Sequence, residues 1–274
     1  MAAAAKNEIR ISRVYDAPLK AVWEAWTKPE AKAEWWGPRG FTITTHSSDV
    51  RTGGTWKYTM HGPDGVDYPN HTKYHEVKKY ELLDYDHGGN DDQPPMFRVH
   101  VTFVESRNQG RPQTHMEMRM ILSSEEVARA TKAFIKSAGG NGTWDRLAEH
   151  LNEDLNGGEI FVINRTIEAP FKRVREVFAA LDQTWLEGSS LQMKIRQGQN
   201  PTEDTFFYDV SLGTLVSEAE VKLTPEAENE VRVTVSCRLD ESVGPERRPQ
   251  IAQARADLAA AFGLAFDQLE SSFE

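Results

Sequence analysis

Histidines and carboxylates are the first candidates for chemistry in this chain. His71 and His75 stand four residues apart, a spacing that on a helix would aim both imidazoles at one metal ion. Pro69 before them and the Tyr and Val residues after them favour a strand instead. There, four residues span ~13 Å, too far for one ion to be shared. His100 and His115 fall on the predicted wet faces of two pairing strands, where a shared surface contact is open to them. The spacing therefore predicts solvated histidines and no metal. Asp49, His61, Asp67, Tyr74, His75 and Glu76 are the groups that could turn acid–base chemistry toward a pocket mouth. Nucleophilic catalysis finds less support. No Gly-x-Ser-x-Gly elbow occurs, and Cys237, the only cysteine, has no placed partner and reads as a small apolar strand residue. A phosphate-cradling glycine motif followed by lysine is also absent, and no cofactor is implied.

A second set of residues offers binding rather than reaction. Trp56, Tyr58 and Met60 alternate with Lys57 and Thr59; Phe97, Val99, Val101 and Phe103 alternate with Arg98, His100 and Thr102; Met116, Met118 and Met120 alternate with His115, Glu117 and Arg119. Each run has one apolar face, as in an antiparallel sheet covered on one side. That face is either a plain core or the wall of a cavity, where methionine offers an adaptable surface to a ligand. Periodicity does not separate the two. Tyr74 and Phe134 join these residues as candidate ligand contacts. Trp35 and Trp36 read as a hinge between helix and strand, one indole plugging the sheet opening and the other partly exposed; the alternative is a lid over the cavity.

The elements that must position these residues begin with Ile9, Ile11 and Tyr15 in a strand-like run. Asp16 and Pro18 are then a cap and a first-turn proline, and Val22, Trp23 and Trp26 recur at helical spacing. Pro29 ends that helix and starts a second over Pro29–Trp35, which Gly37-Pro38 stops. Strands are expected over 41–49, from Gly53-Gly54 onward, over 68–80 and over 81–86, with Gly62-Pro63-Asp64-Gly65 a turn and residues 87–95 a loop. After the two clear strands, Ser123-Ser124-Glu125-Glu126 caps a helix through Val127, Thr131, Phe134 and Ile135. Glycines at 139–142 interrupt it before Trp144, Leu147, Ala148 and Leu151, so one long helix or two helices joined by a glycine loop are both open.

The opening pattern then returns. Ile11, Arg13, Ala17, Pro18, Lys20, Val22 and Glu24 match Ile163, Arg165, Ala169, Pro170, Lys172, Val174 and Glu176 without gaps, and Trp26 aligns with Phe178. So large a period means two copies of a domain, 1–153 and 158–274, with Asn152–Gly158 as linker. The later copy is shorter by about two strands. It lacks the Trp-Gly-Pro and Arg-x-Gly-Gly elements, and Trp185-Leu186-Glu187-Gly188 is at best a remnant. Strands are expected there over 159–167, 191–196, 205–212, 214–223 and 231–237, with an acidic turn at Pro225–Glu230. A closing helix over 246–273 carries Ile251, Leu258, Phe262, Phe266 and Leu269.

Composition bounds the function. With 39 % hydrophobic and 27 % charged residues the chain reads as a soluble globular protein. No apolar run reaches the roughly 18 residues of a membrane span, and the alanines before Lys6 are too short for a secretory core. A net charge of −10 disfavours a nucleic-acid partner. A single cysteine points to a reducing cytoplasm.

Ala17-Pro18, Trp36-Gly37-Pro38 and Arg51-Thr52-Gly53-Gly54-Thr55-Trp56, in that order, resemble the Activator of Hsp90 ATPase homologue 1-like (AHSA1) family of the START/Bet v 1-like (SRPBCC) superfamily. The resemblance implies an α+β fold of two tandem helix-grip domains, each a curved antiparallel sheet wrapped around a long C-terminal helix. It further implies a small lipophilic ligand in a cavity of the first domain, with the second degenerate and mainly structural. It also leaves room for an Hsp90-associated co-chaperone-like module, although the extra N-terminal Hsp90-binding domain of the family's co-chaperone has no counterpart here. A cyclase or hydrolase of the superfamily is the third expectation.

Overall fold

Alternation along the strands decides which side chains line the interior, and it does so twice in this chain. The computed structural model describes residues 5–89, 93–108, 110–137, 141–156, 160–180, 186, 190–196, 202–213, 215–238 and 248–273. The chain divides into two compact units, residues 1–147 and 148–274.

In the first unit, strand β1 (Glu8–Tyr15) leads into helices α1 (Leu19–Thr27) and α2 (Pro29–Trp35). Six further strands follow: β2 (Thr42–Ser48), β3 (Thr55–His61), β4 (Asp67–Lys78), β5 (Leu82–His87), β6 (Phe97–Asn108) and β7 (Arg111–Ile121). They form one antiparallel seven-stranded sheet in the order β1-β7-β6-β5-β4-β3-β2. Chain order is thus kept except that β1 closes against β7, with Ile9 opposite Met120 and Arg13 opposite Met116. Trp56, Tyr58, Tyr74, Val99, Val101, Phe103, Met116, Met118 and Met120 are all buried, while the residues between them are wetter.

Some local expectations need correction. Pro18, not Asp16, is the N-cap of α1, and no side chain caps that end. Asp16 instead accepts a hydrogen bond from the Gln113 side chain of β7, so its carboxylate ties the strand end rather than the helix. Of the two arrangements open for the C-terminal helix, the structure has the second, two helices, α3 (Glu125–Ser137) and α4 (Asn141–Asn156). Residues 152–156 of the expected linker therefore continue α4, and 157–159 lie outside the described residues. Ser124 Oγ accepts from the Val127 N–H at the start of α3, as its position suggests. The apolar stripe of that helix, however, does not become core. Val127 and Phe134 are exposed and Ala128 is the buried residue, because α3 turns its small side chain inward.

In the second unit β8 (Ile160–Ile167), α5 (Phe171–Ala179), β9 (Gln192–Ile195), β10 (Thr205–Leu212), β11 (Leu215–Ala227), β12 (Glu230–Arg238) and α6 (Arg248–Ser271) follow in turn. Among the described residues its sheet has five strands, β8-β12-β11-β10-β9: the first strand again closes against the last. Pro170 caps α5 with φ −60° and ψ 140°, close to φ −60° and ψ 145° at Pro18. Ala17 and Ala169, Val22 and Val174, Trp26 and Phe178 are buried at the matching places. The segment 225–230 is not a plain turn, since β11 continues to Ala227 with a register shift after Pro225. The core joins Phe161, Phe178, Phe206, Val233, Phe262 and Phe266, with Cys237 fully buried among them. Burial pushes that thiol up to about 12, with a hydrogen bond to Ser217 opposing it, so it stays a thiol. The Trp185–Gly188 stretch, apart from Leu186, lies outside the described residues.

The two glycines that open β3 do different jobs. Gly53 sits at φ +80° with open space where a Cβ would be, and its N–H donates to the Tyr74 carbonyl. At Gly54 a Cβ would collide with the Asp49 carbonyl oxygen, a backbone atom with no room to yield. Gly53→Ala should therefore cost about 1 kcal/mol, the left-handed penalty alone. Gly54→Ala should cost about 3 kcal/mol or more through overpacking. Denaturant unfolding of both variants checks this, and equal costs would refute the division of labour.

Candidate functional site

Tryptophan builds the frame of the site. Val22, Trp23 and Trp26 lie on the buried face of α1, and α2 brings Trp35 against them. Trp26 is the junction: its ring lies 5.4 Å from Trp35, 5.6 Å from Trp36, 5.6 Å from Phe103 and 5.8 Å from Trp144 of α4, the last in a stacked pair. Trp35 is fully buried and its indole N–H donates to the Ala25 carbonyl at 3.0 Å. Trp36 is half-buried and donates to the Tyr58 hydroxyl at 3.1 Å. The ladder continues through Trp56, 5.3 Å from Trp36 and stacked on Tyr58 at 3.8 Å.

The exit from α2 is held from above. Gly37 adopts φ +95°, and a Cβ there would meet Met60 Cε at 2.9 Å. Arg146 of α4 donates to the carbonyls of Glu34, Gly37, Pro38 and Phe41. One planar guanidinium thus collects carbonyls left without helical partners where the chain stops being a helix.

Inside this frame lies a group that composition and pattern do not single out. Lys32, on α2, is 1 % exposed. Its Nζ sits 3.5 Å from the centre of the Trp56 ring and has no hydrogen-bond partner among the described residues. Desolvation alone pushes its ammonium down to about 7, with no carboxylate near enough to oppose it. The sheet contributes three tyrosines on adjacent strands, Tyr58 of β3, Tyr74 of β4 and Tyr85 of β5. All are buried, and Tyr74 is close enough to influence the other two electrostatically. Tyr74 and Tyr85 pack edge to face at 5.7 Å. Burial drives all three hydroxyls well above the ordinary phenol range, so they stay protonated donors. Tyr58 accepts from Trp36, yet no acceptor for any of the three O–H groups is found among the described residues.

Of the residues expected to contact a ligand, Trp35, Trp36, Trp56 and Tyr58 form this wall, with Tyr74 beside it. Val99, Val101, Phe103, Met116, Met118 and Met120 continue it along β6 and β7. Met60 is half-buried under Gly37. Phe97 is also only half-buried, and it stacks on His87 at 4.9 Å. Phe134 stands apart, 68 % exposed on α3. Sequence reasoning does not place Lys32, Trp26, Tyr85, Trp144 or Arg146 at the site. A lysine one turn before Trp35-Trp36 on a short helix is the available signal for the first.

The acid–base candidates, Tyr74 excepted, face outward. Asp49 pairs with Arg51, Glu76 with Lys78, and His75 with Asp86 at 2.7 Å. His61 joins Asp67 through Nδ1 at 2.6 Å and Thr44 through Nε2 at 2.8 Å. That Thr–His–Asp line has the connectivity of a catalytic relay, but its members are exposed cross-strand neighbours on β2, β3 and β4, where hydrogen bonds across a wet sheet face suffice to explain it. His71 and His75 lie on a strand, β4, as Pro69 and the flanking residues suggest. The register sets His100 opposite Arg119 and His115 opposite Val104, so the two imidazoles do not meet. Among the described residues no three His, Cys, Asp or Glu side chains converge on a metal site, and no helix is long and apolar enough to cross a membrane.

Residues 16–152 match the family model described as Activator of Hsp90 ATPase homolog 1-like protein. No curated protein matches the chain. Among solved structures, a Nitrosomonas europaea protein is 19 % identical with a TM-score of 0.49, over 56 % of this chain and 98 % of that one. The AHSA1 protein of Silicibacter pomeroyi is 19 % identical with a TM-score of 0.42, over 54 % and 99 %. DynU16, a protein of the dynemicin biosynthetic locus, is 17 % identical with a TM-score of 0.39, over 98 % and 99 %.

The depressed lysine sets a pH signature. Between about 7 and 10.5 the unfolded chain carries a proton on Lys32 that the folded chain does not, so stability rises with pH across that window; below it the burial penalty is present in full. Lys32→Met should therefore stabilise the ligand-free protein by roughly 3–5 kcal/mol near pH 6, with the gain shrinking toward pH 10. Urea unfolding of both proteins at the two pH values measures this. A variant less stable than the parent near pH 6 would show that the ammonium is compensated.

Proposed function

The chain belongs to the Activator of Hsp90 ATPase homolog 1-like family, and on that premise we propose that its first unit binds a small lipophilic molecule between the inward face of the seven-stranded sheet and helices α1, α2 and α4. One observation carries the reading. Three buried tyrosines on neighbouring strands bring hydroxyl donors to a mainly apolar interior that offers them no acceptor among the described residues. Such hydroxyls add little to a core built only for stability, where a donor without a partner is a net cost. A ligand site needs them: apolar walls supply affinity and a few placed polar atoms fix orientation. The methionines of β7 suit the rest of the molecule, because thioether side chains adapt to shape at little cost.

The second unit, read as a shortened copy of the first, serves mainly as structure, with its interior filled by its own aromatic and branched side chains. A cytoplasmic setting fits the single buried thiol. The family's description supports a second reading, in which the same unit docks on Hsp90. The two differ in what they require: a binder needs only the small molecule, and a docking module needs only the chaperone.

Native mass spectrometry of the protein purified from its own host should find a co-purifying apolar molecule. Adding that molecule should raise the melting temperature in proportion to the logarithm of its concentration. Tyr74→Phe should weaken binding about tenfold while leaving the unliganded melting temperature unchanged or higher. Capture of Hsp90 with no small molecule retained would favour docking instead.

A further inference from the structure

Resting on the reading of the first unit as a binder of lipophilic molecules, we propose that its ligand is an acid: an apolar carboxylic acid whose carboxylate is taken by Lys32, with the hydrocarbon or aryl body lying along the sheet.

Helix α2 sets the geometry. Pro29 begins this helix and Trp35 ends it, and both Lys32 and Trp35 are on its buried side. The lysine stem is therefore committed to the interior by the helix that Trp35 anchors and Arg146 holds at its exit. The Nζ reaches one face of Trp56 at 3.5 Å, and Tyr58 stacks on the same indole at 3.8 Å, so Trp56 separates the amine from the Tyr58 ring. The Tyr58 oxygen accepts from Trp36; that bond fixes the hydroxyl and leaves its proton for another acceptor. Lys32 is thus a buried donor held on an aromatic face with no acceptor among the described residues.

The chemistry of that amine selects its occupant. A neutral lipid gives it no counter-charge, and a second cation repels its protonated form. A phosphate dianion calls for more positive charge than one lysine, and among the described residues no hydrogen bond or ring contact links an arginine to Lys32, Trp56 or Tyr58. A carboxylate matches: it brings one negative charge to one cation and accepts a charge-assisted hydrogen bond from it. Another buried cation of the same chain shows the alternative solution. Arg165 in the second unit, fully buried, has Asp267 at 3.5 Å and Glu270 at 3.7 Å on α6. Lys32 has no such carboxylates from the described residues, and a ligand carboxylate supplies the equivalent.

Few groups near Lys32 can exchange a proton with it. Tyr58 of β3, Tyr74 of β4 and Tyr85 of β5 are all neutral. Glu30 and Glu34 of α2 are exposed; Glu24 of α1 is engaged with Lys20 and Lys28, and His46 of β2 with Thr59. Arg146 of α4 is engaged with carbonyls at the α2 exit. Binding of an ionised acid to a lysine with a lowered pKa takes up a proton from solution, and none of these neighbours releases one to cancel it.

A panel of straight-chain and aryl carboxylic acids and their methyl esters tests the inference by titration calorimetry on the full chain, in two buffers of different ionisation enthalpy at about pH 8. The acids that bind should do so at least about tenfold more tightly than their esters, with uptake of up to one proton. Lys32→Met should bind acid and ester alike, with no proton uptake; because that variant removes a buried charge, it is expected to fold. Acid and ester binding equally to the parent protein, or an acid preference that survives Lys32→Met, would overturn the acid assignment while leaving the binder reading intact. No binding by any member of either series would remove the binder reading, and this inference with it.

Discussion

Everything in the first unit hangs on the junction made by Trp26. Its ring touches the aromatic side chains at the end of α2, a phenylalanine on β6 and a tryptophan on α4, so one side chain sets the spacing of three helices against the sheet. Large aromatic groups serve well in that position, because each buries a wide area and prefers tilted or offset contacts that fix angle as well as distance. Arg146 completes the junction from α4 by collecting carbonyls at the end of α2. Both help to hold a short seven-residue helix in place, since helices of that length are not stable alone.

Holding that helix is what keeps a lysine in the interior. An exposed helix would let Lys32 snorkel to water. A helix clamped at Trp35 and at its exit cannot rotate to allow it, and the ammonium rests on Trp56 instead. Cation–π attraction offsets only part of the lost hydration. The first unit therefore carries a local instability at the place where the proposed ligand arrives, the usual relation between stability and a working site. The three tyrosines extend the same logic onto the sheet, each holding a donor in low dielectric.

The second unit gives its own buried cation, Arg165, carboxylate neighbours. Its strands close in the same cyclic sense, with β8 against β12, and its helix α5 starts at a proline in the same conformation. With a sheet two strands narrower among the described residues, phenylalanines of β8, β10 and α6 share one interior cluster. Its buried arginine, at the position aligned with Arg13, faces carboxylates of α6. A fold with fewer strands has less interior to fill, and side chains of β8, β10 and α6 meet within it.

Much of this is legible from residue order, because it rests on short-range physics. Prolines at 18, 29 and 170, the glycines of Trp-Gly-Pro and Arg-x-Gly-Gly, and alternation along 56–60, 97–103 and 116–120 fix helix starts, exits and inward faces through dihedral limits and burial. The strands of the second unit are likewise readable from their period of two. Local readings fail where a distant partner intervenes: Asp16 is drawn away from capping by Gln113, and α3 keeps Phe134 outside. The site itself is only half visible. The apolar wall follows from alternation, but a lysine on a short helix looks like any solvated charge until the helix is docked. Tyr85 lies in a weakly patterned strand, and Arg146 in an ordinary amphipathic helix. Which polar groups end up buried without a partner depends on how the helices, sheet and exit loop are brought together, and no local pattern records that. Dihedral limits and alternation dictate the elements and their inward faces residue by residue. Packing over long sequence separations is what leaves Lys32 and three tyrosine hydroxyls in one interior, where the described residues hold nothing to neutralise them.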